Sequence, residues 1–234
     1  MRGSRTLRAG EDYEAVFSNN TNKGKALVTV TGKGTYTGSL KKAFTIDPAD
    51  IQDVKITGVQ NKTYTGKEIK QTATLKLGSL VLQEGRDYRV SYSDNINAGT
   101  AYVYFKGMGN FHQDDYRTFK IGKAAQSITA KAKASSVAVG KTTTVSITGA
   151  KGKKSYKSSN TSLATVSSAG KVTAKKVGTV TITATSGATA NYKAASKTVT
   201  IKIIPKSTTI SSLSPAKGAL TVKWKKQASQ TSGY

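Results

Sequence analysis

Residues 82–121 read LQEGRDYRVSYSDNINAGTAYVYFKGMGNFHQDDYRTFKI, and this stretch decides the fold because it occurs twice in the chain. Residues 7–46 read LRAGEDYEAVFSNNTNKGKALVTVTGKGTYTGSLKKAFTI, and the two stretches align without a gap at an offset of 75 residues. Fourteen of the forty aligned positions are identical, where about two or three would be expected by chance. A repeat of this length predicts small domains in series rather than one large domain.

The residues that recur are those that make turns and those that alternate along strands. Asp87 follows Gly85 in a predicted turn, and residues 94–99 form a hairpin loop rich in residues that tolerate positive φ. Alternate positions of the next strand are apolar, which predicts one face in a core: Ala101, Val103 and Phe105. Because turns recur every 8–12 residues, we expect about six or seven short strands in residues 47–122.

Composition and pattern together predict an all-β chain of small β-sandwich modules in series. Thr, Val, Tyr and Gly are frequent, and no long window has helical spacing. Residues 1–46 are predicted to be the C-terminal half of a first repeat module, and residues 47–122 a complete one. Residues 123–204 form a further domain, and residues 205–234 begin another.

The second half of the chain has its own strand pattern. Residues 178–184 read GTVTITA, which predicts a strand with Val180, Ile182 and Ala184 directed inward. Trp224 is predicted to be a core anchor of the last domain, and Gly233–Tyr234 to begin its next strand. Met1–Ser4 is interpreted as a vector-derived start.

Composition excludes several kinds of chemistry. There is no cysteine and one histidine, His112, so disulfides, thiol catalysis and Cys/His metal sites are excluded. The net charge is +25, and residues 116–234 carry 21 basic side chains and no acidic one. Such a field attracts polyanions without specifying which. The quoted sequence shows no signal peptide and no apolar run long enough to span a membrane.

Two loop motifs have alternative chemical interpretations. The glycine pairs at 32/34 and 107/109 could suggest a phosphate loop, but such a loop needs a helix after the glycines, and β pattern follows here. Asp94, Asn95 and Asn97 could ligate calcium, but they offer one carboxylate, and the first copy has Asn19 in place of Asp94. Tight turns are favoured in both places, and no cofactor or metal is predicted.

Catalysis and nucleic-acid recognition are also disfavoured. His112, Asp114 and Asp115 lie in one loop, and the first copy has no acid or imidazole at these positions. Residues 116–234 contain a single arginine, Arg117, and few aromatic residues, whereas sequence readers use arginine forks and stacking rings. We therefore expect no catalytic residue and no specific nucleic-acid partner.

Four tyrosines are the candidate ligand contacts. Tyr102 and Tyr104 face away from the core if Val103 and Phe105 face into it. Exposed aromatic faces can stack on sugars or anchor a protein partner. The alternative is that the tyrosines pair across strands or are covered by a neighbouring module. The other two candidates lie on the preceding predicted strand: Tyr88 and Tyr92.

The first copy has no counterpart of residues 47–81 in front of it within this sequence. In isolation its strands should leave a sheet edge exposed. We therefore expect disorder, edge-strand pairing with a neighbour, or dimerisation in residues 7–46.

Three resemblances follow from these motifs. Residues 7–122 resemble repeat modules of cell-surface proteins from Gram-positive gut bacteria, through the pattern Tyr64-Thr-Gly-Lys67, Gly85-x-Asp87-Tyr88, Asn95-x-Asn97-x-Gly99, Gly107-x-Gly109-Asn110-Phe111 and Phe119-x-Ile121. Residues 123–204 resemble a bacterial immunoglobulin-like domain of group 2, found in intimin- and invasin-like adhesins, through Ser158-Ser-Asn160, Ala164-Thr-Val166, Gly170-Lys-Val172-Thr-Ala174 and Gly178-Thr-Val-Thr-Ile182. Residues 205–234 are similar to the start of a fibronectin type III-like domain, through Leu220-x-Val222-x-Trp224.

These resemblances imply an all-β fold of tandem immunoglobulin-like β-sandwich modules in an elongated array. They also imply a non-enzymatic stalk or adhesion fragment of a secreted or wall-associated bacterial protein, at the cell surface or in the cell wall. The partners they imply are a glycan, teichoic acid or a host surface protein. The alternative function is a carbohydrate- or wall-polymer-binding module that uses the exposed tyrosines and the lysine-rich surface.

Overall fold

The computed structural model describes residues 5–225 and divides the chain into two compact units, Met1–Ile121 (unit 1) and Gly122–Tyr234 (unit 2). Between residues 5 and 225 there are strands, one short 3-10 helix and no α-helix, so the predicted all-β fold class is confirmed. No helix in this range is long and apolar enough to cross a membrane. The predictions for Met1–Ser4 and Gly233–Tyr234 concern residues outside the described part.

The first repeat copy forms an antiparallel three-stranded sheet in the order β1–β2–β3, namely Tyr13–Ser18, Gly24–Gly32 and Ser39–Ile46. The turn glycines lie where positive φ is needed, since Gly24 begins β2 at φ 127°. The expectation of disorder is therefore wrong for residues 13–46, because local hairpin pairing alone holds the three strands together.

The second copy and the residues before it, 47–122, contain nine strands and one 3-10 helix, Ile51–Asp53. This exceeds the predicted six or seven because four of the nine are two-residue pairings. The strands are β4 (Ala49–Asp50), β5 (Lys55–Thr57), β6 (Lys62–Thr63), β7 (Thr74–Leu77), β8 (Leu80–Val81), β9 (Tyr88–Ser93), β10 (Gly99–Gly107), β11 (Phe111–His112) and β12 (Asp114–Gly122).

These strands form two layers with the core between them. One sheet has the order β6–β12–β10–β9, the other β5–β7–β8, and β4 and β11 make a short parallel pair. The predicted inward face of β10 is confirmed, since Ala101, Val103 and Phe105 are fully buried. They pack against apolar residues of the preceding segment, and such burial contributes about 1.5–3 kcal/mol per large side chain. Those residues are Ile51, Val54, Ile69, Leu75 and Leu82.

Unit 2 contains a sandwich of two four-stranded sheets, ordered β13–β15–β18–β17 and β14–β20–β19–β16. The strands are β13 (Thr129–Ala132), β14 (Ser136–Ala138), β15 (Thr142–Thr148), β16 (Lys154–Ser158), β17 (Ala164–Val166), β18 (Lys171–Ala174), β19 (Gly178–Ser186) and β20 (Ala195–Ile204). As predicted, Val180, Ile182 and Ala184 of β19 point into the core, while the threonines between them form the outer face of the strand.

The Ser-Ser-Asn segment of unit 2 is a hydrogen-bonded turn. The Ser158 hydroxyl donates to the Ala164 carbonyl at 2.7 Å. The Asn160 side-chain oxygen accepts the N–H of Ser162 at 2.9 Å, and the Thr181 N–H donates to the Ser159 hydroxyl at 3.0 Å. These bonds satisfy backbone groups where the chain leaves β16.

A buried amide ties together three segments at one end of this sandwich. The Gln126 Oε1 atom accepts from the Ser186 hydroxyl at 2.6 Å and from the Lys151 N–H at 2.8 Å. Its Nε2 atom donates to the Gly187 and Lys193 carbonyls at 2.9 and 2.7 Å. Ser186 is fully buried, so this polar group is accommodated because its partners are all within the protein.

The last described strands form a hairpin, β21 (Ile210–Ala216) and β22 (Ala219–Trp224). Its apolar side chains are exposed, and Trp224 is among them. The prediction of Trp224 as a core anchor is wrong for the described residues, because a two-stranded hairpin has no second layer to bury it.

Candidate functional site

Three tyrosines cluster on the outer face of the larger sheet of residues 47–122. Alternation along β10 directs Tyr102 and Tyr104 outward, and their rings stack with centroids 6.1 Å apart and planes 14° apart. Tyr116 of β12 lies directly opposite Tyr104 in the register. Its ring is 6.1 Å from Tyr102 and 6.0 Å from Tyr104, tilted by 47° and 40°. We call these three residues the tyrosine cluster.

The tyrosine cluster is accessible. Tyr104 and Tyr116 are exposed and Tyr102 is half-buried. The Tyr104 hydroxyl lies 3.4 Å from the hydroxyl of Ser93 on the neighbouring strand. The rings therefore present a continuous aromatic surface edged by hydroxyl groups, which is the composition that stacks on sugar rings or anchors a partner.

The other two predicted tyrosines lie on the opposite face of the same sheet. Tyr88 is buried against Phe105, with ring centroids 6.0 Å apart, and burial raises its pKa. The Tyr92 hydroxyl accepts the N–H of Gln71 at 3.0 Å. The structure thus separates Tyr88 and Tyr92 from Tyr102 and Tyr104, because β9 alternates its side chains in phase with the core face of β10.

Tyr116 is the member of the cluster that sequence reasoning missed. The strand register identifies it, because β10 and β12 pair antiparallel and this pairing places Tyr116 opposite Tyr104. The first copy has Leu27, Thr29 and Lys41 at the three equivalent positions. The cluster is therefore a property of the second copy and not of the repeat.

The glycine motif at 107–109 is a tight turn. A Cβ atom on Gly107 would lie 2.7 Å from the carbonyl oxygen of His112, and one on Gly109 would lie 2.9 Å from that of Arg86. The chain then enters β11 rather than a helix, so the N–H groups of a helix terminus, which a phosphate loop needs, are not provided here.

The predicted loop of His112, Asp114 and Asp115 is wrong, because His112 lies in β11 and both aspartates lie in β12. The acidic and amide side chains near the turn bond to the protein itself. The Asn95 amide donates to the Ile69 carbonyl at 3.2 Å. Asp115 accepts from the Arg117 guanidinium at 2.7 Å, whereas His112 belongs to the short parallel pair with β4. Within residues 5–225, no group of three or more acidic or imidazole side chains is placed to hold a metal ion.

A second candidate site is a cleft of about 790 Å³ where the first copy meets the complete module. Asn110 bridges it: its Oδ1 atom accepts the N–H of Lys23 at 2.9 Å, and its Nδ2 atom donates to Asn22 at 2.9 Å. Leu77, Leu80 and Phe111 form the apolar wall, and Arg86 and Asp87 lie at its edge. The cleft combines this apolar wall with a rim of polar and charged residues, among them Lys23 and Asp47.

The lysines of unit 2 are distributed rather than gathered into one site. Several hold loops through backbone carbonyls, as Lys123 does with Thr189 at 2.7 Å and Lys154 with Ile147 at 3.0 Å. Others alternate with threonine and serine on the outer strand faces, such as Lys157 and Lys202. Lys157 lies on the edge strand β16, where a charge opposes pairing with another strand. The lysines together give a diffuse positive field.

Residues 124–199 match the family model of the bacterial Ig-like domain (group 2). The resemblance inferred for this part of the chain is confirmed, and the match fits a module of a surface protein. The matched range contains the motifs from which the resemblance was inferred, and they build the Ser158–Asn160 turn and the β17–β18 hairpin.

Solved structures of tandem β-domain proteins are similar to the chain. A crystal structure of the S-layer protein rSbsC(31-844) is 21% identical, with a TM-score of 0.31, and the match covers 94% of this chain and 39% of that one. Drosophila N-cadherin EC1-3 is 11% identical, with a TM-score of 0.29 and coverage of 81% and 79%. The chain thus spans about two fifths of the S-layer structure. No curated protein sequence matches the chain.

Proposed function

We propose that this chain is a non-enzymatic segment of a bacterial cell-surface protein, in which β-sandwich modules space and display other parts of a longer polypeptide. The observation that carries the proposal is the match of residues 124–199 to a bacterial Ig-like domain. Domains of this fold are typically non-catalytic. The proposed modules are 1–46, 47–122, 123–204 and the beginning of a fibronectin type III-like domain in 205–234.

The packing of the described residues supports a mechanical role. The core of each sandwich is closed by apolar side chains, and every buried side-chain polar atom of the described residues has a hydrogen-bond partner. The Asn110 bridge ties the first copy to the complete module through bonds to two consecutive residues. A spacer needs this kind of fixed local geometry more than it needs a reactive site.

Surface exposure tests the proposal directly. Antibodies against residues 123–204 should bind intact cells that produce the parent protein, and external protease should remove the epitope without lysis. Replacing residues 123–204 by an unrelated sandwich of similar length should preserve display of the parts beyond it. An epitope reached only after lysis, or turnover of a substrate by this segment alone, would overturn the proposal.

The tyrosine cluster favours a second function, the binding of a glycan or wall polymer. Two stacked rings with a third beside them offer a broad aromatic platform, and the positive charge of the chain would add attraction to an acidic polymer such as teichoic acid. Stacking on one ring contributes about 1–3 kcal/mol in comparable base–aromatic contacts.

The first copy supplies the matched variant for testing this second function. Tyr102→Leu, Tyr104→Thr and Tyr116→Lys together replace the cluster by the residues that the first-copy sheet carries at the equivalent positions 27, 29 and 41. On a glycan array at modest salt, the unmodified chain should bind and the triple variant should not. Equal binding by both would leave only the diffuse lysine field as the cause.

A further inference from the structure

One face of the first-copy sheet is mostly apolar, and its larger side chains are exposed or half-buried although the small Ala26 is buried. The register places Phe17 opposite Val28, Ala26 opposite Phe44, and Val30 opposite Leu40, so these side chains share a face. Phe17 is 54% exposed, Leu40 68% and Phe44 39%. The Phe17 and Phe44 rings meet edge to face, 6.3 Å apart. We call this surface the open face.

The same positions are covered in the second copy. The equivalents of Val28, Val30 and Phe44 are Val103, Phe105 and Phe119, with exposures of 0%, 0% and 3%. Their cover comes from the segment 47–81. Its contributions to the two core clusters are Ile51, Val54, Ile69 and Leu75.

The open face retains the residues that this cover contacts. Three of its members are identical between the copies, at 26/101, 28/103 and 44/119, and so is Ile46, which corresponds to Ile121 and lies on the same face of β3. Leu7 corresponds to Leu82, which is itself a core residue of the complete module. The first copy therefore contains every part of that core except the part that residues 47–81 supply.

We propose that the open face is a docking site for a β-segment of the same kind as residues 47–81, which would complete a second sandwich. The occupant is defined by chemistry: it forms a short sheet whose inward positions carry aliphatic side chains in the pattern of Ile51, Val54, Ile69 and Leu75. This inference does not depend on the function proposed above.

A complementary segment fits the open face better than a second copy does. Lys42 lies on this face, opposite Val28, and a two-fold contact would bring two equal charges into one apolar interface, which is costly. Its equivalent, Arg117, is neutralised by Asp115, but the first copy has Leu40 at that position. Leu40 extends the apolar surface that a cover would bury.

A cysteine-accessibility experiment tests the docking site. Residues 47–81 are duplicated directly ahead of Leu7 in the full chain, which reproduces the junction between residues 81 and 82. The chain has no cysteine, so Phe44→Cys introduces a unique thiol. Its labelling by a soluble maleimide should slow by about a hundredfold or more in the duplicated chain, because packed elements open rarely.

Two controls make the result specific. A thiol introduced by Val16→Cys, on the opposite face of β1, should label at the same fast rate with and without the duplication. A duplicated segment carrying Ile51→Asp and Leu75→Asp should give no protection. Hydrogen exchange of the β2 and β3 amides in chains without the cysteine should slow in parallel, which keeps the test valid if Phe44→Cys perturbs folding.

Two outcomes would overturn the proposal. Unchanged labelling and unchanged exchange in the duplicated chain would show that the open face does not accept this segment. Protection that is already present without the duplication, and that grows with protein concentration, would show that a second copy is the occupant.

Discussion

The carboxylate of Asp87 accepts the backbone N–H of Gln83 at 2.8 Å. The same bond occurs 75 residues earlier, from the N–H of Arg8 to Asp12 at 2.9 Å. In both copies it closes the turn that leads into the strand beginning at the next tyrosine. The repeated Gly-x-Asp-Tyr motif is therefore an aspartate-locked turn, and its second example is strengthened by Arg86, which donates to Asp87 at 2.9 and 2.7 Å.

Replacing Asp87 should destabilise unit 1. Asp87→Ala removes the acceptor of the Gln83 N–H and of the Arg86 guanidinium in a nearly buried place. We expect the free energy of unfolding to fall by about 2 kcal/mol, the usual range for bonds to a charged group. Urea unfolding of the full chain measures this. Asp114→Ala, at an exposed position of β12, should change it by less than about 0.5 kcal/mol.

The same carboxylate should make unit 1 sensitive to acid. The hydrogen bond from Arg86 holds the pKa of Asp87 below its ordinary value. The stabilisation is present above the unfolded pKa of about 3.9 and is lost as the pH falls through the lower folded value. Unfolding midpoints of unit 1 measured from pH 6 to pH 2 should fall more steeply than those of Asp87→Asn. Parallel curves would contradict this.

Gly170 should tolerate no side chain. Its φ is +80°, and a Cβ atom there would overlap the carbonyl oxygen of Val145 and lie 2.9 Å from Cζ of Tyr156. Gly170→Ala should therefore destabilise unit 2 by about 3 kcal/mol. Gly140→Ala is the matched control. Gly140 has a similar φ of +79°, but a Cβ atom there would meet only the flexible end of the Lys206 side chain. We expect this variant to lose about 1–2 kcal/mol of stability. Equal losses would show that backbone strain alone decides both.

The Gln126 network should behave as one unit. Gln126→Leu leaves the buried Ser186 hydroxyl and the Lys151 N–H without their shared acceptor, and we expect a loss of about 3 kcal/mol. Ser186→Ala should cost about 1–2 kcal/mol. The double variant should lose less than the sum, because the two residues share a bond. Additive losses in thermal unfolding would argue against coupling.

Asn110 should fix the junction of the first copy with the complete module. Asn110→Thr introduces the residue that stands at the equivalent position 35, and it removes the amide that bonds Asn22 and Lys23. Hydrogen exchange at the Lys23 amide should accelerate by about fivefold, as expected for the loss of a bond of about 1 kcal/mol. Thr35→Asn should leave that rate unchanged.

Local pattern was sufficient to predict the strands and turns but not the contacts between segments. Alternation in residues 178–184 and the loop at 94–99 depend on neighbours in sequence, and both are found as expected. The bridge from Asn110 to Asn22 joins residues 88 apart, and no local rule specifies it. Tyr116 joined the candidate site through strand register, which only the pairing of β10 with β12 reveals.

The separation of Tyr88 and Tyr92 from the exposed tyrosines has a similar cause. All four tyrosines were interpreted as candidate ligand contacts because they are the same residue type. In the structure, however, Tyr88 and Tyr92 share one face of β9 with Val90. The packing of the two sheets determines which face of each strand is buried. It buries the face of β9 that carries Tyr88, Val90 and Tyr92. Side-chain chemistry suggested a ligand contact where the structure shows core packing for Tyr88.

The composition of unit 2 has a consequence for the conditions under which it stays folded. It contains nineteen lysines but no aspartate, glutamate, histidine or cysteine, and therefore no side chain of a type with an ordinary pKa between about 3 and 9. Folding of this unit then neither takes up nor releases protons across that range, so its stability should be level there. Ionic strength is the variable to which it should respond, because dissolved salt screens the mutual repulsion of its lysines.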